Sequence, residues 1–299
     1  MATTLSTPPA ACGTARWRVV LGVFKLRIGV LIMLTALAGM AISPAPAPAV
    51  WQVLLVALAV LAASAAAGAF NQWVEADSDR LMRRTRDRAF ASGTLHAGPV
   101  WLGVIVLLLA CAVAATWAAV NGTSALFLFL GAFTYAVVYT VGLKRRTWMN
   151  IVFGGLAGSF AVLTGAAAVD PAIGALPLLL ALVLFLWTPP HFWSLAIANR
   201  DDYAAAGVPM LPVVVGVERA ARIVHINAAA LVAVSLLPVL FGAGVLYLVG
   251  AVAGGAWFLH RTRALARAPS RTTALAAFFA SMVQLGVLIV AVVADAALR

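Results

Sequence analysis

The chain has 299 residues, of which 64% are hydrophobic and only 10% are charged, and its mean hydropathy is +1.05. Since a soluble domain carries about 25% charged residues, this composition excludes a soluble protein and indicates one that crosses a membrane several times. The formal net charge of +11 would suit nucleic acid, but the placement of the charges favours another explanation. The two cysteines, Cys12 and Cys111, form neither a disulfide framework nor a CxxC metal site.

The apolar runs predict an all-α, polytopic membrane protein. One helix needs about 20 apolar residues to span a bilayer, and turn signals such as SPAPAPA at 43–49 separate the runs. The pattern gives nine spans, at 24–43, 51–72, 99–119, 123–142, 149–168, 173–198, 223–242, 244–261 and 273–295. We expect a disordered tail over residues 1–15 and a single transmembrane domain over 16–299.

The basic residues predict an orientation for these spans. Of the 20 lysines and arginines, all but Arg299 lie in the N-terminal segment or in loops after even-numbered spans. Because cytoplasmic loops carry an excess of lysine and arginine, we expect a cytoplasmic N-terminus and an external C-terminus. This distribution explains the basic charge without a nucleic-acid partner.

The first polar motif follows the second span and reads NQWVEADSDRLMRRTRDR, from Asn71 to Arg88. Asn71, Glu75 and Asp79 are spaced i, i+4, i+8, so they share one face if the helix continues past Phe70. Oxygen ligands suit Mg²⁺, which usually takes one or two protein carboxylates and substrate phosphates. Acidic residues at membrane depth are costly and indicate function. The motif therefore predicts a metal site at the mouth of a helix.

Several basic residues near this motif are candidate diphosphate ligands. A guanidinium group contacts two phosphate oxygens at once. The candidates are Arg83, Arg84 and Arg88 in the motif, and Lys144 and Arg145 after the fourth span. Tyr135 and Tyr139, at i, i+4, share a face just before the second set. The alternative is that these residues only set the orientation of the chain in the membrane.

The sixth span ends in WTPPHFWSLAIANRDDY, which carries a second group of polar residues. Pro189 and Pro190 are expected to break the helix. His191, among aromatic residues, is either a ligand or bonded to a carbonyl that the prolines free. Asp201 and Asp202 form a second acidic cluster on the same predicted side as the first.

Two facing carboxylate clusters would hold metal ions that bridge one diphosphate, with a hydrocarbon tail in the apolar bundle behind them. Metal ions and arginines would stabilise the leaving diphosphate, and aromatic faces would stabilise an allylic cation. This arrangement favours a prenyltransferase. A transporter with acidic ion sites is the alternative of another class.

Three segments resemble the intramembrane prenyltransferases of the UbiA superfamily, and the third resembles its haem-farnesylating branch. They are NQWVEADSDRLMRRTRDR, YTVGLKRRTWMNIVFGGLAG and WTPPHFWSLAIANRDDYAAAGVPMLPVV. The resemblance implies a UbiA-like bundle with a cytoplasmic active site. It implies transfer of the farnesyl group of farnesyl diphosphate to a vinyl group of haem B, with water addition and release of diphosphate. A related enzyme that prenylates an aromatic or quinone precursor is the alternative.

The resemblance also assigns roles to residues. It places Asn71, Glu75 and Asp79 in the first Mg²⁺ motif, Asp201 and Asp202 in the second, and His191 at the haem. Glu75 stands where an aspartate is common in the superfamily, and the second motif reads NRDDY, so the second metal would be held differently. The implied surroundings are the inner membrane, with haem A synthase or terminal oxidase assembly factors as partners.

Overall fold

Helices form the entire secondary structure of the residues that the computed structural model describes, which are 16–46 and 48–298. The predicted tail, 1–15, lies outside them. The first helices are α1 (Arg16–Val23), α2 (Leu26–Ile42), α3 (Val50–Val74), α4 (Ala76–Arg80), α5 (Pro99–Ala119) and α6 (Gly122–Phe133). A π-helix, Thr134–Leu143, continues α6. The others are α7 (Asn150–Gly154), α8 (Leu156–Val169), α9 (Ala175–Ala198), α10 (Arg200–Ala205), α11 (Leu211–Val215), α12 (Val217–Leu236), α13 (Val245–Arg267) and α14 (Arg271–Ala297), with a 3₁₀ turn at Leu237–Phe241.

The all-α membrane fold is confirmed, whereas the count of nine spans stays a prediction. Within the described ranges, seven helical segments are long and apolar enough to cross a membrane, or eight if the bent pair Trp17–Val23 and Leu26–Ile42 counts as one. The predicted span 244–261 corresponds to α13, which is not among them. That helix extends to Arg267 and carries arginines in its last two turns.

Close contact between α2 and α8 determines how the centre of the bundle packs. Gly39 and Gly165 lie at this contact, where an added Cβ would collide with the backbone of Val162 and of Ala36, respectively. Small residues let two membrane helices approach to backbone contact, and packing of this kind replaces the hydrophobic driving force in lipid. Helix α9 packs against α8, α12 and α14 beside this pair. The C-terminal half of α9 is thereby held in the middle of the bundle.

The prediction that Pro189 and Pro190 break the helix is wrong, because α9 runs through both. Membrane helices tolerate proline where neighbouring helices and Ser or Thr side chains satisfy freed backbone groups. The hydroxyls of Thr188 and Ser194 bond within the same helix, to the carbonyls of Leu184 at 3.0 Å and of Pro190 at 2.6 Å, and α8, α12 and α14 pack against α9. His191 therefore lies on a continuous helix.

The ten-residue π-helix Thr134–Leu143 ends the fourth predicted span. The i→i−5 bond from the amide of Lys144 to the carbonyl of Tyr139, at 2.9 Å, closes its last turn. π-Helices are rare, and they occur frequently at functional sites. The wider turn sets the positions of Thr140 and Lys144, whose side chains both contact the first polar motif.

Candidate active site

Asn71, Glu75 and Asp79 lie on one helical face, as the spacing predicts. Helix α3 continues past Phe70 to Val74, and the short α4 follows after Glu75. Two i→i−4 backbone bonds keep the register, from Glu75 to Asn71 at 3.0 Å and from Asp79 to Glu75 at 2.8 Å. The three residues are only 1–2% exposed. The Asn71 amide donates to the Glu75 carboxylate at 2.9 Å and to the Thr140 hydroxyl at 3.0 Å.

Each buried carboxylate of this face forms an ion pair with a basic residue that the sequence assigns to diphosphate. Lys144 Nζ lies 2.5 Å from Oε1 of Glu75 and 2.6 Å from its Oε2. Arg88 Nη1 lies 2.7 Å from Oδ2 of Asp79. An unpaired buried charge costs several kcal/mol, so these two ion pairs offset the cost of placing charged groups in the bundle. Burial lowers the pKa of Lys144, and the Glu75 carboxylate opposes that shift.

Lys25 completes this cluster, although in the sequence it stands only among the basic residues that predict the orientation of the chain. Its ammonium donates to Oδ1 of Asn71 at 2.5 Å and lies 3.4 Å from the hydroxyl of Tyr135. Lys25 sits at the bend between α1 and α2 with φ of 48°, a left-handed conformation that is uncommon outside glycine. A lysine at the edge of an apolar run was the only signal in the sequence.

The oxygen atoms of the first motif fit a hard divalent cation. Within the described residues, no three His, Cys, Asp or Glu side chains come together in a metal-binding arrangement. However, Oδ1 of Asp79 is buried and has no hydrogen-bond partner, which is unusual for a buried carboxylate oxygen. Asn71, Glu75 and Asp79 present the donor type that Mg²⁺ takes. Their carboxylates now contact Lys144 and Arg88.

Two stacked tyrosines form a wall beside this cluster. The rings of Tyr135 and Tyr139 lie 5.6 Å apart at 14°, which confirms that they share a face. The ammonium groups of Lys25 and Lys144 each lie 5.9 Å from the centre of one ring. Gly154 permits the close approach of α7, because a Cβ there would lie 2.9 Å from the Tyr139 ring. The wall therefore presents electron-rich faces that already neighbour cations.

The second acidic cluster meets the loop of the first motif but does not share a metal arrangement with it. Arg83 Nε donates to Oδ1 of Asp202 at 3.0 Å. Asp201 is exposed and lies 3.5 Å from Arg200. A cavity of about 940 Å³ lies between these loops. Its polar lining is Arg83, Arg84, Asn199, Arg200, Asp201, Asp202, Ser270 and Arg271.

The structure thus sorts the predicted site residues into two groups. Asn71, Glu75, Asp79, Arg88 and Lys144 form the buried cluster, whereas Arg83, Arg84, Asp201 and Asp202 line the cavity. Arg145 belongs beside the first group, since its guanidinium donates to the Ser78 hydroxyl at 2.5 Å. Phosphate oxygens in the cavity would therefore lie close to Arg83 and Arg84. These two arginines belong to the same loop as Arg88 of the buried cluster.

His191 lies apart from both groups, buried between two aromatic rings. Trp187 stacks on it at 4.1 Å and Phe278 at 4.4 Å. Its Nδ1 is 2.7 Å from the hydroxyl of Ser281. Because both ring faces are covered, a ligand could meet this imidazole only at its edge. The bond at Nδ1 leaves Nε2 as the nitrogen for such a contact.

Comparisons with known proteins place the chain in a family. The profile of the UbiA prenyltransferase family matches residues 32–283. Protoheme IX farnesyltransferase 2 of Paramagnetospirillum magneticum is 56% identical over 283 residues, which is 94% of this chain and 98% of the relative. Protoheme IX farnesyltransferase 1 of the same organism is 50% identical, over 91% of this chain and 95% of the relative.

Two solved structures share the fold at low sequence identity. A digeranylgeranylglyceryl phosphate synthase superposes with a TM-score of 0.78 at 17% identity, covering 95% of this chain and 99% of the other. A UbiA homologue from Archaeoglobus fulgidus, bound to DMAPP and Mg²⁺, superposes with a TM-score of 0.71 at 18% identity, covering 90% of this chain and 98% of the other.

Proposed function

The chain belongs to the UbiA prenyltransferase family, and we propose that it is a protohaem IX farnesyltransferase, which converts haem B to haem O. The observation that carries this proposal is the 56% identity to a protein of that name over 94% of this chain. The fold and the paired clusters of carboxylates and basic residues support it, because they suit a substrate with a diphosphate head and a hydrocarbon tail.

The reaction combines one substitution, at the farnesyl group, with one hydration, at the haem vinyl group. The bond between C1 of the farnesyl group and its bridging oxygen breaks, and diphosphate leaves with the electron pair. The terminal carbon of a haem vinyl group bonds to C1, which leaves a cation on the carbon next to the porphyrin. Water adds to that carbon and loses a proton, which gives the hydroxyethylfarnesyl side chain of haem O.

Asn71, Glu75 and Asp79 would hold Mg²⁺, with Asp201 and Asp202 as candidates for a second ion. When bound, Mg²⁺ supplies charge that stabilises the departing diphosphate. The unpaired Oδ1 of Asp79 supports this assignment, as does the Mg²⁺ in the structure of the Archaeoglobus fulgidus homologue. The positively charged residues Arg88 and Lys144 would contact diphosphate oxygens when the carboxylates bind the metal.

The basic residues around the cavity orient the diphosphate. Arg83 and Arg84 line the cavity, and Arg145 lies beside Ser78 at the first motif. Guanidinium groups bind phosphate oxygens in pairs, so Arg83, Arg84, Arg88, Lys144 and Arg145 would hold the leaving group from several sides. Fixed charges of this kind stabilise the charge that develops as the C1–O bond breaks.

The tyrosine wall and the bundle protect the allylic cation. Tyr135 and Tyr139 present stacked ring faces that attract cations. The apolar bundle excludes water until the new C–C bond has formed. His191, held by Ser281 between Trp187 and Phe278, is the candidate residue for contact with haem.

The surroundings of this reaction follow from the charge pattern and the product. We place the protein in the inner membrane as a multi-pass protein, with its N-terminus and the active site on the cytoplasmic side, because the basic loops favour that orientation. Haem A synthase or assembly factors of terminal oxidases are the partners that would receive the product.

One experiment tests the activity against its alternatives. The purified protein is incubated with farnesyl diphosphate, haem B and Mg²⁺, and the porphyrins are analysed by mass spectrometry. A product with the mass of haem O is expected, with one diphosphate released per molecule. Prenylation of an aromatic or quinone precursor instead of haem B would identify the sister activity. A protein that leaves farnesyl diphosphate intact would be neither enzyme, and a transport activity would then have to be tested.

A further inference from the structure

The lining of the cavity of about 940 Å³ includes an arginine that comes from a different segment of the chain than the diphosphate candidates. Arg83 and Arg84 come from the loop after α4, whereas Arg271 comes from the start of α14. Of the arginines lining this cavity, Arg83 pairs with Asp202 and Arg200 with Asp201, whereas Arg84, a diphosphate candidate, and Arg271 appear in none of the ion pairs of the described residues. Among the described residues, no acidic side chain forms an ion pair with Arg271. The proposed diphosphate site leaves Arg271 without a role.

The position of Arg271 contradicts the usual charge preference of a helix. It is the first residue of α14, and the first turn of that helix contains no acid. A cation at a helix N-terminus is unfavourable, whereas an anion there is favourable. An anionic ligand at this end of the cavity would interact well with both the guanidinium and the helix.

Along α14, the residues that follow Arg271 change from basic to apolar at the cavity and then to aromatic beyond it. Leu275, one turn further along α14, lines the cavity together with Leu195 of α9. Phe278 and Ser281 follow on α14 and contact His191. Arg271 and Ser281 are ten residues apart, which is about 15 Å along a helix. The side chain of Arg271 can extend along part of this distance. A flat apolar ligand with an anionic edge would span the remainder, from the guanidinium towards His191.

We propose that Arg271 binds the propionate carboxylates of haem B at the rim of this cavity and so selects a porphyrin acceptor. This inference rests on the proposed function. The propionates are the only anionic groups at the edge of haem B, and the macrocycle is flat and apolar. The cavity wall offers them an unpaired guanidinium at the surface and leucine side chains below it. The diphosphate is left to Arg83, Arg84 and the other basic residues named above.

The test measures haem affinity without turnover. Haem B and its propionate dimethyl ester are titrated into the full chain in nanodiscs of neutral lipid, and binding is followed by Soret absorbance. The variant is Arg271→Gln. The matched control is Arg267→Gln, which changes an exposed arginine at the end of α13 that does not line the cavity.

A charge-assisted hydrogen bond is worth roughly 1.5–3 kcal/mol, so we expect Arg271→Gln to weaken haem B binding about tenfold or more. The ester should bind the unchanged chain equally weakly, and the variant should no longer distinguish acid from ester. Arg267→Gln should behave as the unchanged chain, and the KM for farnesyl diphosphate should not change.

Two results would overturn the inference. One is equal affinity of the unchanged chain for haem B and for its dimethyl ester. This comparison requires no variant. The other is normal haem B affinity of Arg271→Gln in the neutral nanodiscs, with a defect that appears only when the titration is repeated in anionic lipid, since Arg271 would then contact a headgroup. In either case the formation of haem O by the unchanged chain would show that the proposed function stands. Absence of haem O with propionate-dependent haem binding intact would instead overturn the activity alone.

Discussion

Arg83 and Asp202, 119 residues apart in the chain, form an ion pair of 3.0 Å that joins the two polar loops. Met82 belongs to the same hydrophobic cluster as Trp193 and Tyr203, so the contact between the loops has an apolar base. The Arg83 side chain is 80% exposed, and exposed ion pairs contribute little to stability. The ion pair therefore costs little to break, which leaves both side chains available for the metal and phosphate contacts proposed above.

The first prediction concerns the carboxylate whose oxygen lacks a partner. Asp79→Asn keeps the size of the side chain but removes the negative charge that would bind Mg²⁺. Since a metal contact of this kind supports several kcal/mol of transition-state stabilisation, we expect haem O formation to fall at least a hundredfold. The measurement is the initial rate of haem O formation over a range of Mg²⁺ concentrations.

The control for this change is Asp77→Asn. Asp77 lies two residues away, and its exposed side chain pairs only with Arg80. This variant should keep the full rate. A folded Asp79→Asn protein that forms haem O at the normal rate would contradict the metal assignment.

The second prediction concerns Lys25, which donates to Asn71 at 2.5 Å. Lys25→Met leaves the buried Oδ1 of Asn71 without its charged donor, a loss of roughly 1.5–3 kcal/mol. We expect the rate to fall about tenfold or more and the affinity for farnesyl diphosphate to fall with it. Arg27→Met, which alters an exposed residue just beyond the bend, is the matched control. Equal kinetics for the two variants would mean that Lys25 does not support the site.

The shared face of Asn71, Glu75 and Asp79 could be predicted from the sequence, because their spacing follows the period of an α-helix. The contact between Lys25 and Asn71 could not be predicted. The two residues are 46 positions apart in the chain, and their contact depends on the packing of α1 and α2 against α3. The π-helix before Lys144 has no recognisable residue pattern. The ion pair between Lys144 and Glu75, which depends on that helix, could therefore not be predicted either. The continuation of α9 through Pro189 and Pro190 could not be predicted, because the local rule that proline breaks a helix is relaxed in a membrane bundle.

The third prediction tests the orientation of the chain. In a background with Cys12 and Cys111 replaced by serine, single cysteines are introduced as Ser92→Cys and Ala172→Cys, both at exposed positions. An impermeant thiol reagent should label position 92 only from the cytoplasmic side and position 172 only from outside. The opposite pattern would show that the predicted topology is inverted, and labelling of both positions from one side would show that the span count between them is wrong.

The fourth prediction concerns His191 as a contact to haem. Its imidazole is fixed by Ser281 at Nδ1 and by Trp187 and Phe278 on its two faces. A neutral imidazole is a common ligand of iron, and a histidine held in one orientation is ready to act as one. His191→Asn should therefore shift the Soret band and weaken haem B binding, while the KM for farnesyl diphosphate stays the same.

The control for this prediction is His225→Asn, a histidine whose Nδ1 lies 3.0 Å from the Thr262 hydroxyl and that we interpret as structural. It should leave both the spectrum and the affinity unchanged. If His191 only fills the space between the two rings, its replacement should lower thermal stability but leave the haem spectrum as it is. An unchanged Soret band in a folded His191→Asn protein would thus remove the haem contact, and His260 would become the next histidine to test.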